Sequence, residues 1–166
     1  MKKRAVYPGS FDPVTNGHLD MMRRGMKIFD QLVVAVLNNS NKKPLFTLEE
    51  RITLLKQATA EMTNVVIMSF NGLLVDFMRE QNIHIILRGL RAISDFEYEL
   101  QIAETNNHLL DSVETCFMMA DKTYSFLSST IVKGISKYGG DVTELVPEAS
   151  DLALKAKYGF ASTSIR

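Results

Sequence analysis

The sequence predicts an α/β fold, a single domain in which a five-stranded parallel sheet carries helices on both faces. Three observations lead there. Five short apolar runs recur along the 166 residues, stretches with helical apolar periodicity separate them, and the clearest run, Leu32 to Leu37, is continuous rather than alternating. A continuous run marks a strand covered on both faces, and strands that alternate with helices build parallel sheets. Parallel crossovers are right-handed, so a Rossmann-like doubly wound order is the economical one.

Ala5 to Tyr7 forms the first strand and runs into a turn-rich stretch that ends at Gly17-His18, after which Leu19, Met22, Met26 and Phe29 repeat as one helix face. Leu32 to Leu37 is the second strand. After the loop Asn38 to Phe46, Thr47 and Glu50 have capping-box spacing and open a helix bearing Ile52, Leu55 and Ala58 on one face. Val65 to Met68 is the third strand, and Gly72 precedes a short helix with Leu73, Leu74, Phe77 and Met78. Ile83 to Leu87 is the fourth, followed by a basic loop, Arg88 to Arg91. Ser94 and Glu97 have the spacing of a second capping box, for a long helix reaching about Leu109. Thr115 to Met119 is the fifth strand. A helix from near Ser129 to Tyr138 stops at Gly139-Gly140, and Pro147 suits the first position of a last helix ending at Gly159. The domain is expected to span residues 1–159, with Phe160 to Arg166 a loose tail.

Nineteen basic and nineteen acidic side chains cancel, which argues against a nucleic-acid or membrane surface acting through bulk charge. Specificity for an anion must then be local. A lone cysteine, Cys116, fits a reducing compartment and reads as a small core residue within its apolar run. No apolar stretch suits a signal peptide or membrane span, so a cytoplasmic protein is expected.

The stretch Tyr7 to His18, Y-P-G-S-F-D-P-V-T-N-G-H, contains what a phosphate chain requires. Gly9 lets backbone approach a ligand, Ser10 offers a hydroxyl, and Gly17 leaves room where the helix begins. His18, in the first turn, can donate to an anion that already faces free N–H groups and the positive end of the helix dipole. Ligands of doubly wound sheets bind beyond the carboxyl ends of the strands. The five loops at that edge would present Ser10 and His18, Lys42 and Lys43, Leu74, Arg88 and Arg91, and Tyr124 to Thr130. Arg88 closes an apolar strand, where its planar fork suits phosphate oxygens. Lys42 either reaches the same ligand or sits in a solvated basic turn. Arg91 either joins them or pairs with Asp95. Ser128, Ser129 and Thr130 exceed the single hydroxyl an N-cap uses, and would hold a second phosphate cluster. Glu99 either accepts a hydrogen bond from a base or ribose or forms a surface salt bridge. His84 and His108 read as structural. There is no P-loop and no dinucleotide fingerprint, and one cysteine with three scattered histidines argues against a zinc site.

Four segments, Y-P-G-S-F-D-P-V-T-N-G-H, N-K-K-P-L-F-T-L-E-E-R, R-G-L-R-A-I-S-D-F-E-Y-E and Y-S-F-L-S-S-T-I-V-K, together resemble the bacterial phosphopantetheine adenylyltransferases. The first contains the T/H-x-G-H signature of the nucleotidyltransferase superfamily. The resemblance implies transfer of AMP from ATP to 4'-phosphopantetheine, giving dephospho-coenzyme A and pyrophosphate. It implies ATP contacts from Ser10, Phe11, His18 and Glu99, from Gly89, Leu90 and Arg91, and from Tyr124, Ser125, Phe126, Leu127, Ser128, Ser129 and Thr130. Ser10, Lys42, Leu74 and Arg88 would contact phosphopantetheine. Mg2+ would travel with the triphosphate, with no protein side chain as ligand, and the family suggests a homohexamer. Two departures stand out: Ser10 replaces a common threonine, and Lys133 replaces an arginine frequent in the superfamily, which puts a phosphate role for that side chain in doubt.

The implied chemistry needs no general base. A phosphomonoester has its second pKa near 6 and is largely dianionic at neutral pH. The protein would position two polyanions and stabilise charge at the α-phosphate, with His18 as the donor there, Lys42 and Arg88 on the attacking phosphate, and Arg91 with the hydroxyl cluster on the pyrophosphate. An adenylyltransferase acting on nicotinamide mononucleotide and a non-catalytic nucleotide sensor are the competing readings.

Overall fold

The computed structural model describes residues 2–38 and 43–160. Five strands, β1 (Arg4–Gly9), β2 (Gln31–Leu37), β3 (Val65–Phe70), β4 (Ile85–Leu90) and β5 (Glu114–Met119), form one parallel sheet in the order β3-β2-β1-β4-β5. The helices are α1 (Asn16–Gly25), α2 (Leu48–Ala58), α3 (Leu74–Gln81), α4 (Ile93–Leu109), α5 (Ser129–Lys137) and α6 (Glu148–Tyr158), with a 3-10 turn at Lys122–Tyr124. The sheet is therefore the doubly wound one that the pattern of apolar runs predicts.

Alternate residues of each central strand feed two cores. Ala5, Tyr7, Leu32, Val34 and Leu87 pack with Leu19, Met22, Leu55, Val132 and Leu154 on one face. Val6, Val33, Ala35 and Ile86 pack with Phe77 and Met78 on the other. Burial on both sides explains why β1 and β2 read as unbroken apolar runs. The chain winds outward from β1 through β2 to β3, then returns to place β4 on the other side of β1. The strand order thus reverses between β1 and β4, where a crevice opens beyond the carboxyl ends. There the Arg88 guanidinium donates to the Pro8 carbonyl at 3.1 Å, bridging the two strands with a side chain.

Several expectations are corrected. β4 starts at Ile85 and runs to Leu90, so Arg88, Gly89 and Leu90 belong to the strand and not to a loop after it. α1 ends at Gly25, before Met26 and Phe29, yet Phe29 remains in the core. A Cβ at Gly25 would lie 2.9 Å from Leu87 Cδ2, so a larger residue there would push the Leu87 side chain aside where the helix meets the sheet. Ser94 is not the N-cap of the long helix, because α4 begins at Ile93 behind an Ala92 N-cap without a side-chain bond. Thr47 and Glu50 do make theirs, through bonds of 3.2 and 2.8 Å. Pro147 is the N-cap of α6 and not its first helical residue. Cys116 is exposed and not a core residue. Its strand lies at the sheet edge, and the packing that buries Leu87 in the neighbouring strand does not extend over the registered Cys116. The expected loose tail, Phe160 aside, lies outside the described residues. Among those residues no helix is long and apolar enough to cross a membrane.

Candidate active site

Phe11 is the first consequence of the β1 to α1 turn. Its backbone is left-handed, with φ of 48°, a conformation that bulky side chains rarely adopt and that clusters at functional sites. The ring is buried and packs edge-on to His18, with centroids 4.9 Å apart. A Cβ on Gly9 would meet the Phe11 ring at 3.0 Å, so this glycine makes room for Phe11 as well as for a ligand. Gly17 is under less pressure, since its Cβ would meet Tyr124 and Leu127 at ordinary distances of 3.4 and 3.6 Å.

The start of α1 fixes the His18 ring. Thr15 is the N-cap and His18 the N3 residue of a reciprocal capping box. The Thr15 backbone N–H donates to His18 Nδ1 at 3.0 Å, and the Thr15 Oγ1 lies 3.1 Å from the same nitrogen. A nitrogen that accepts from an amide carries no proton of its own, so the neutral ring holds its hydrogen on Nε2. Burial, helped by the nearby Arg91 charge, lowers the His18 pKa from 6.5 to about 4. At neutral pH the ring is an uncharged donor.

A stability prediction follows. Below pH 6.5 the unfolded chain protonates His18, while the folded ring resists until about pH 4. The unfolded state then binds more protons, so stability rises with pH between those values and is level above them. The loss on acidification should reach up to about 3 kcal/mol, at roughly 1.4 kcal/mol per unit. Urea midpoints at pH 4 and 6.5 should differ clearly for the wild type and much less for His18→Asn. Equal shifts in both would remove His18 as the cause.

Three clefts adjoin one another here, and this ring lines two of them. The first, about 250 Å³, is lined by Phe11, His18, Gly89, Arg91, Glu99 and Tyr124 to one side, and by Leu127, Ser128 and Ser129 at the start of α5. The second, about 420 Å³, runs from Ser10, Arg88 and Glu99 over an apolar wall of Leu73, Leu74, Ile102 and Ala103 to Asn106. The third, about 350 Å³, contains Ser10, His18, Lys43, Arg51, Ser129, Thr130 and Lys133. They share walls in pairs. Arg88 and Glu99 separate the first from the second, Ser10 the second from the third, and His18 the third from the first. A larger hollow of about 940 Å³ lies between α2 and α6, but its charged residues are three carboxylates, Glu49, Glu50 and Glu148, against Lys157 alone, and suit no polyanion.

The cations are already tied. Arg88 forms a bidentate pair with Glu99, with Nε at 2.7 Å and Nη2 at 2.5 Å from its two oxygens. The alternative of a salt bridge for Glu99 is therefore realised, half-buried and not on the open surface. Arg91 donates to Asp95 at 3.1 Å and to the Leu127 carbonyl at 3.2 Å. Ser128 is the N-cap of α5, its hydroxyl accepting from Ile131 N–H, while the Ser129 hydroxyl donates to the Pro13 carbonyl at 2.8 Å. Of the remaining residues singled out in the sequence, Leu90 is buried, Ser125 donates to the Lys122 carbonyl, and Phe126 is 57% exposed; none lines the clefts. Lys42 lies outside the described residues.

Sequence reasoning assigned no individual role to Thr15, Asp12 or Arg51. The T-x-x-H spacing of Thr15 and His18 was a readable signal. Asp12 was hidden in a turn: its buried carboxylate accepts from Leu45 and Phe46 N–H at 3.0 and 2.9 Å and from Lys133 Nζ at 2.6 Å. Burial alone would raise that carboxyl, but these three donors outweigh it and hold it below the usual carboxylate range. Lys133, whose phosphate role was in doubt, is committed to Asp12.

The fold is shared by known proteins. Over 96% of this chain and 97% of the other, it superposes on the Plasmodium falciparum nicotinic acid mononucleotide adenylyltransferase complexed with NaAD, with a TM-score of 0.67 and 15% identity. That likeness concerns the fold alone. A family model described as cytidylyltransferase-like matches residues 6–135, from β1 through most of α5, and so covers every wall of the crevice. With a neutral imidazole held at the switch point between a hydroxyl-rich helix start and two arginines, the chain belongs to the cytidylyltransferase-like family of nucleotidyltransferases.

Proposed function

We propose that the enzyme transfers AMP from ATP to 4'-phosphopantetheine, releasing dephospho-coenzyme A and pyrophosphate. The observation that carries this reading is the second cleft, whose Arg88 and Ser10 end is polar while most of the rest is apolar, with Leu73, Leu74, Ile102 and Ala103 leading up to Asn106. A phosphate on a flexible chain of methylenes and amides fits that gradient. A compact pyridine nucleotide leaves the aliphatic end unfilled.

In this reading the first cleft takes the adenosine, and Ser10, Lys42 and Arg88 receive the acceptor phosphate. One of its oxygens attacks the α-phosphorus; the new P–O bond forms as the bond to the bridging oxygen breaks, and pyrophosphate leaves with the electron pair. No proton is transferred to or from the protein. The His18 Nε2–H donates to the α-phosphate as charge builds, and being already oriented by Thr15 it needs no reorganisation. Arg88 must share its fork between Glu99 and the incoming phosphate, which ties acceptor binding to the wall of the nucleotide cleft. Among the described residues no three His, Cys, Asp or Glu side chains converge as metal ligands. A magnesium ion would enter with the triphosphate and screen its charge, held by phosphate oxygens and water.

The deciding experiment offers labelled ATP with either 4'-phosphopantetheine or nicotinate mononucleotide. Pyrophosphate release and dephospho-coenzyme A are expected with the first only. Turnover with the mononucleotide alone would replace the acceptor, and none with either would favour a sensor.

A homohexamer is part of the proposal. No described side chain of α4 is buried, and Phe96, Tyr98, Leu100 and Leu109 are exposed on it, an arrangement that a helix adopts when another surface covers it. Light scattering at micromolar concentration should give six times the chain mass; a monomer would remove this part.

A further inference from the structure

Arg51 is the least explained charge in the molecule. It lies in the first turns of α2, is 3% exposed, and lines the third cleft. Its Nη1 donates to two carbonyls, Ser10 at 2.8 Å and Leu37 at 3.0 Å. β1 and β2 are registered up to Gly9 and Val36, so these carbonyls belong to the next pair along, where the ladder has ended. The guanidinium clasps the two strand ends together. Among the described residues it forms no ion pair and its Nε has no hydrogen-bond partner. The neighbouring Asp12 is fully engaged by Lys133, Leu45 and Phe46. The cleft thus has Arg51, Lys43 and Lys133 against the single carboxylate of Asp12.

A guanidinium is expensive to bury without a carboxylate, and an apolar side chain of similar length would fill the space at lower cost. The arrangement makes sense if an anion completes it. We infer that Arg51 is a positioning residue of the polyphosphate seat: it fixes the backbone at Ser10 against the end of β2 and sets a positive charge, without an ion-pair partner among the described residues, in the wall of the cleft where pyrophosphate departs. The inference rests on nucleotidyl transfer from a triphosphate and not on the identity of the acceptor. When the bond between the α-phosphorus and its bridging oxygen breaks, the leaving group carries the electron pair away, and this wall faces the added charge.

The test uses inorganic pyrophosphate and AMP as separate probes of the whole protein, without any acceptor. The Arg51 Nε–H resonance, assigned by its loss in Arg51→Lys, should move on saturation with pyrophosphate and stay in place with AMP. Calorimetry should show pyrophosphate affinity falling about tenfold or more in Arg51→Met, and a smaller but clear fall in Arg51→Lys, which keeps the charge but cannot clasp both carbonyls. A resonance indifferent to bound pyrophosphate, wild-type pyrophosphate affinity in a folded Arg51→Met, or no pyrophosphate binding by the wild type would each overturn the inference. Should Arg51→Met fail to fold, the wild-type resonance and Arg51→Lys decide. Failure of the phosphopantetheine assay would leave all these outcomes unchanged.

Discussion

His18→Ala is expected to lower turnover by about a hundredfold to a thousandfold while ATP affinity stays within roughly tenfold of the wild type. The ring is a preorganised donor: burial keeps it neutral, and the Thr15 amide on Nδ1 leaves the hydrogen on Nε2. Its bond to the α-phosphate strengthens as charge develops there, so it contributes more to the transition state than to binding. Adenosine contacts come from other residues of the first cleft and survive the change. Thr15→Ala separates the donor from its support. It removes the hydroxyl but keeps the backbone N–H, so turnover should fall far less, while helix α1 loses about 1 kcal/mol of capping. Steady-state kinetics with pyrophosphate as readout would show both; a His18→Ala enzyme within threefold of wild-type turnover would take the imidazole out of the mechanism.

Asp12→Ala should be strongly destabilising, at about 3 kcal/mol, or roughly 6–12 °C in melting temperature for a chain of this size. The carboxylate holds together three segments far apart in sequence: its own turn, the Leu45 and Phe46 amides before α2, and Lys133 of α5. Truncation leaves two amides without acceptors and an ammonium without its partner. Lys133→Met should cost less, because it removes the charge of the partly exposed partner but leaves both amide bonds in place. In the double variant the two losses should not add, since Asp12 and Lys133 share one interaction. Calorimetric melting of the three variants checks this, and an Asp12→Ala protein melting within 2 °C of wild type would show that the clasp carries no weight.

Much of this site was legible in the chain because its parts are local. Gly9, Ser10, Gly17 and His18 lie within one strand-loop-helix stretch, and the Thr47 and Glu50 cap needs only its spacing. The Ser128 to Thr130 run and Arg88 were marked by being unusual at a strand or helix end. What failed was also consistent in kind. The Ser94 cap yielded to a helix that starts earlier, and the end of α1 was overread through Phe29, because an apolar residue in a turn can reach the same core as a helix face. Cys116 looked internal because composition alone cannot distinguish a central strand from an edge one.

The sequence by itself determined the layers, the parallel sheet and the loop edge at which an anion would be met, since apolar periodicity and turn residues report the local backbone and the face it buries. Only the tertiary structure decided the partnerships: Glu99 on Arg88, Asp12 on Lys133, Arg51 on the carbonyls of Ser10 and Leu37, and the imidazole among them. These are pairings between residues that are distant along the chain, set by strand order and by the need of each buried charge for a counterpart, and no local pattern encodes which counterpart it will find.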